Sequence, residues 1–128
     1  MAAPSGSTGK TILLVDDERS MLKVLERRLL FWGHRALLAD GGLEALRMAK
    51  AQRPDLILLD VMMPEMDGLE VCRRLKASED TARIPVILVT VKATQLSPAE
   101  RAASGALRII GKPYDPEELE EAVREALA

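Results

Sequence analysis

Five short aliphatic runs recur along this chain, at residues 12–16, 35–39, 55–60, 85–90 and 107–110, with room for one helix after each. Runs of this length, dominated by Leu, Ile and Val, suit strands buried on both faces of a sheet. The stretches between them carry helical spacing instead. Leu22, Leu25 and Leu29 fall on one face of a helix that stops near Gly33, and a second helix over about 42–52 is followed by Pro54. A third is expected over 68–77, with Asp67 as its cap and Glu70 three residues on, an aspartate version of the capping box. Ser97-Pro98-Ala99-Glu100 and Asp115-Pro116-Glu117-Glu118 open the fourth and fifth helices in the same way, and Gly105 ends the fourth. Leu119, Val123 and Leu127 line one face of the fifth. Five strand–helix units in series predict an α/β fold with a parallel sheet and helices on its faces. Right-handed crossovers and a reversal in strand order would open a crevice at the carboxyl edge, where such folds bind ligands.

The 128 residues suit one domain, with a core large enough to need no disulfide or metal. Phe31, Trp32 and Tyr114 are the only aromatic residues, so that core must be aliphatic. A net charge of -2 argues against a nucleic-acid surface. Cys72, the single cysteine, excludes a disulfide framework and a cysteine metal set, and suits a small buried apolar position. No run approaches the roughly 18 apolar residues of a membrane span, so a cytoplasmic protein is expected. Residues 1–10 are small and polar and read as a flexible tail before a domain over 11–128. Gly9-Lys10-Thr11 looks like the end of a phosphate-binding loop, but Pro4 stands where its first glycine belongs and the segment precedes a strand.

Polar residues stand where the runs end: Asp16-Asp17, Asp60, Thr90 and Lys112-Pro113. On a parallel sheet these would share one edge. Three carboxylates gathered without a counter-charge repel one another, and a hard divalent cation with oxygen ligands relieves that repulsion. Asp16-Asp17 could instead merely open the first helix, although this leaves the second Asp and Asp60 unexplained. Lys112 could be a surface lysine, yet Pro113 disfavours helix before it and would hold its direction. Thr90 could be an ordinary strand residue or a hydroxyl facing the crevice.

The segments LLVDDE, LLDVMMPEMDG, PVILVT and GKPY, at fitting spacings over about residues 11–127, resemble the receiver domain of bacterial response regulators (CheY-like). The resemblance implies a doubly wound, flavodoxin-like (βα)5 sheet in strand order 2-1-3-4-5. It implies a signalling domain, not an enzyme, that takes a phosphoryl group on Asp60 from a sensor histidine kinase or phosphotransfer protein. Asp16, Asp17, Asp60 and the backbone carbonyl of Met62 would hold Mg²⁺, Lys112 would pair with the acyl phosphate, and Thr90 would bond a phosphoryl oxygen. Output would pass through protein contacts on the face of strand 5 and helices 4 and 5, to a protein target or a fused output domain, with no direct nucleic-acid contact.

Two positions depart from the family pattern. Ile109 stands where most receivers have Tyr or Phe, which removes the usual aromatic rotation, and Val91 is bulkier than the small residue usual after the Thr90 position. They support an alternative, a degenerate receiver that binds protein without phosphate. A phosphatase with an aspartyl-phosphate intermediate is weaker, because Met62 stands where its second acid belongs and no cap domain is visible. Elsewhere, Met62, Met63 and Met66 are expected to pack, and His34 to be a solvated loop residue. Phe31-Trp32 are expected to pack locally, and Glu117, Glu118, Glu120 and Glu121 to form a solvated helix face that also complements the helix N-terminus.

Overall fold

The computed structural model describes residues 9–128, so most of the expected N-terminal tail lies outside the described residues. Strands β1 (Thr11–Val15), β2 (Arg35–Ala39), β3 (Leu56–Leu59), β4 (Val86–Thr90) and β5 (Arg108–Gly111) form one parallel sheet in the order β2-β1-β3-β4-β5. Helices α1 (Arg19–Phe31), α2 (Gly42–Gln52), α3 (Gly68–Ala77), α4 (Pro98–Ser104) and α5 (Pro116–Leu127) alternate with the strands. This is the parallel sheet with flanking helices that the alternating pattern predicts, in the doubly wound strand order that the resemblance implies. A single 3-10 turn at Ala93–Gln95, between β4 and α4, was not anticipated; three residues carry no readable period.

The strand period of two sorts the aliphatic side chains into two layers. Leu13, Val15, Ile57, Leu59 and Leu88 meet Ala45 and Ala49 of α2 and Val71, Cys72 and Leu75 of α3. Ile12, Leu14, Leu58, Ile87 and Ile110 point the other way, onto Leu22, Leu25 and Leu29 of α1 and Leu119 and Val123 of α5. Burial on both faces explains why these runs show no polar alternation. Burial pushes the Cys72 thiol up to about 11, as suits an apolar packing residue. Met63 is buried and Met66 packs on the first layer, while Met62 lies half exposed.

The helix starts follow their caps. Ser97 and Glu100 form a reciprocal box, and the Asp115 side chain accepts from the Glu117 N–H. Asp67 accepts from the Glu70 N–H at 3.0 Å, but the Glu70 carboxylate turns forward to Arg73 and Arg74, so only half of that expected box forms. His34 departs from its expected solvated position. It is half-buried, its Nδ1 finds no hydrogen-bond partner among the described residues, and burial lowers its pKa. Trp32 packs on the α1/α5 layer as expected, whereas Phe31 is 83% exposed. Among the described residues, no helix is long and apolar enough to cross a membrane.

Candidate functional site at the carboxyl edge of the sheet

The strand order decides which polar strand ends meet. Neighbouring β1 and β3 pair Val15 with Leu59, and the Asp60 N–H donates to the Val15 carbonyl at 3.0 Å. Asp16 and Asp60 therefore leave the sheet side by side. On the other flank, the Lys112 N–H donates to the Thr90 carbonyl at 2.9 Å, which ties the residue after β5 to the end of β4. From there its side chain reaches back across the sheet edge. The Lys112 Nζ lies 2.6 Å from Asp16 Oδ2 and 3.4 Å from Asp60 Oδ2.

Each buried acid divides its two oxygens between backbone and ammonium. Asp16 Oδ1 accepts from the Glu18 N–H at 2.9 Å, and Asp60 Oδ1 accepts from the Met62 N–H at 3.2 Å. The Lys112, Asp16 and Asp60 side chains are only 10%, 3% and 8% exposed, so their charges act in a low-dielectric setting. Burial pushes the Asp60 carboxyl above its ordinary 3.8. The Lys112 charge and the Met62 N–H oppose that push, and the Asp16 charge adds to it. Burial works against the Lys112 ammonium too, but its hydrogen bond to Asp16 and the charges of Asp60 and Asp16 carry its pKa above 10.5.

Carboxylate oxygens of Asp16, Asp17 and Asp60 lie within 4.8 Å of one another, with Asp17 exposed. Three carboxylates against one ammonium leave an excess of negative charge. An all-oxygen donor set with one face open to water fits a hard divalent cation such as Mg²⁺. The structure thus gathers Asp16, Asp17, Asp60 and Lys112. Thr90 is at the same edge but fully buried, and its Oγ1 accepts from the Lys92 N–H at 3.1 Å. Val91 is 58% exposed, and Ile109 packs half-buried on the first core layer. Tyr114 lies on the second layer, 6.0 Å from the Arg28 guanidinium.

Gly68 belongs to the site, and its role was not read from the sequence. A Cβ there would meet the Asp60 carbonyl oxygen inside contact distance and stand 2.8 Å from the Val61 Cα. The Gly68 N–H also donates to the Val61 carbonyl at 2.9 Å. The first turn of α3 is thereby docked directly on the backbone of Asp60, an approach only glycine permits.

Residues 12–124 match the family model of the response regulator receiver domain. The chain belongs to that family. The response regulator MprA of Mycobacterium leprae (strain TN) is 43% identical over 119 residues, covering 91% of this chain and 50% of that protein. MprA of Mycobacterium avium (strain 104) is 44% identical over 111 residues, covering 84% of this chain and 46% of that protein. The receiver therefore spans about half the length of the curated relatives it matches. Among solved structures, the receiver domain of the sensor histidine kinase PA1611 from Pseudomonas aeruginosa PAO1 superposes with a TM-score of 0.86 at 32% identity. It covers 94% of this chain and 98% of that one, and holds a magnesium ion in its active-site cleft. The chemotaxis response regulator CheY4 of Vibrio cholerae gives 0.86 at 30% identity, over 94% of this chain and all of that one. This receiver thus shares a CheY-like fold and is a component of two-component signalling.

Proposed function

We propose that this receiver is a phosphorylation-driven switch in which Asp60 accepts a phosphoryl group from the phosphohistidine of a sensor kinase or phosphotransfer protein. An Asp60 oxygen attacks phosphorus, the phosphorus–nitrogen bond breaks, and the imidazole leaves with its electron pair. The observation that carries this reading is the placement of Asp60, buried beside the acid pair and in reach of Lys112. The Met62 N–H keeps one Asp60 oxygen oriented, and the Lys112 ammonium offsets charge as the acyl phosphate forms. Mg²⁺, held by Asp16, Asp17, Asp60 and the Met62 carbonyl, would supply the remaining charge neutralisation. Thr90 would turn its hydroxyl from the Lys92 N–H to the bound phosphoryl group, pulling on the segment that leads into α4.

On this reading the domain is a cytoplasmic signalling module, not an enzyme acting on separate substrates. Its output goes to a protein target or fused domain through β5, α4 and α5. A phosphate-independent binding module is the second reading, and Ile109 favours it, since the aromatic that usually reports phosphorylation is missing. Intact-protein mass separates the two. After incubation with acetyl phosphate, a gain of one phosphoryl group is expected that requires Mg²⁺ and is absent in Asp60→Asn. Folded, Mg²⁺-binding protein that gains no mass from acetyl phosphate or a kinase would favour the second reading.

A further inference from the structure

The surface between α1 and α5 carries charges that the fold leaves unpaired. A groove of about 280 Å³ runs there, with Arg27 and Arg28 on one wall and Glu117 and Glu120 on the other. Phe31, Trp32 and Pro116 supply its apolar part. Among the described residues none of these four charges makes an ion pair, although the Arg108 guanidinium lies within 4.0 Å of Glu118, Glu121 and Glu125, other acids of α5. The Arg28 Nε is buried without a hydrogen-bond partner. Phe31, 83% exposed, follows exposed Val24 by two helical turns, so an apolar side chain stands one turn to either side of the two arginines. An exposed Phe beside arginine is a composition enriched at the centres of interfaces.

The charge pattern selects the occupant. A partner carrying one sign of charge would satisfy one wall and be repelled by the other. A surface divided into a basic and an acidic wall is its own complement under a two-fold rotation, because each basic wall then meets the other copy's acidic wall. We infer that the α1/α5 face pairs with the same face of a second copy of this chain. In that pair Phe31 of each copy enters the other's groove, and Arg27 of each meets Glu120 of the other. The Asp60 edge takes no part, so the pairing does not require phosphorylation.

Sedimentation equilibrium of the full chain without phosphodonor, over a concentration series up to the millimolar range, tests the inference. A reversible monomer–dimer equilibrium is expected. Phe31→Ser and Arg27→Glu should each raise its dissociation constant at least about tenfold. Both positions are on the surface, so far-UV circular dichroism should match the parent. Glu120→Arg added to Arg27→Glu should bring the constant back toward the parent value, which a merely structural loss would not do. A chain that stays monomeric throughout overturns the inference, as does a dimer indifferent to Phe31→Ser or a double reversal no better than the single one. Monomeric protein whose Phe31→Ser variant accepts phosphate more slowly from a histidine kinase would overturn it too, and give the face to the kinase.

Discussion

Asp60 is held by two opposing influences: burial favours its neutral form, while Lys112 and the Met62 N–H favour the carboxylate. Burial prevails, so the folded state binds this proton more tightly than the unfolded chain. The native state therefore loses stability as pH rises from the unfolded value near 3.8 through the raised folded value. Asp60→Asn removes the ionisation and keeps an oxygen for the Met62 N–H. Without Mg²⁺, its Tm should exceed the parent's at neutral pH, and the gain should disappear well below pH 3.8, where the aspartate is neutral in both states. Thermal melts across that range check this, and a variant less stable than the parent at neutral pH would contradict it. Asp16, Asp17, Asp60 and Lys112 were legible in the sequence because a polar residue just after a buried run must lie at the sheet edge. The orientation of the Thr90 hydroxyl was not legible, since it depends on the turn that presents the Lys92 N–H. Nor was the half-burial of His34, which follows from how the α1–β2 corner packs.

At the scale of elements, strand and helix boundaries lie within one or two residues of the expected ones, because each is marked locally by burial or a cap. The docking of α3 on Asp60 is different in kind. Its requirement for Gly68 arises from a contact between a helix start and a strand end, and no pattern within either segment carries it. Gly68→Ala should push α3 off the Asp60 backbone. Overpacking against main chain costs about 1–3 kcal/mol, and with no flexible side chain to yield, the upper end is expected. Acceptance of phosphate from acetyl phosphate should slow in parallel. Denaturant unfolding alongside the phosphorylation time course measures both, and an unchanged midpoint would contradict the close approach.

For the whole molecule, strand order is what turns dispersed residues into a site. Placing β1 between β2 and β3 sets Asp16 beside Asp60, and Lys112 bridges back from the far side of β4. Ile109 packs half-buried on the first core layer and makes no polar contact with the site, so on the proposed reading chemistry and output should be separable. Ile109→Tyr should change binding of the downstream partner while leaving the phosphorylation rate within about twofold, a barrier change well under 1 kcal/mol. Equal effects on both would contradict that separation. The most direct measurement locates the phosphoryl group itself. Protein treated with acetyl phosphate and Mg²⁺, then reduced with borohydride, converts an aspartyl phosphate to homoserine that peptide mass spectrometry can place. The expected result is conversion at Asp60 alone; conversion at Asp16 or Asp17, or a phosphoryl group on a residue outside the carboxyl edge, would contradict the account.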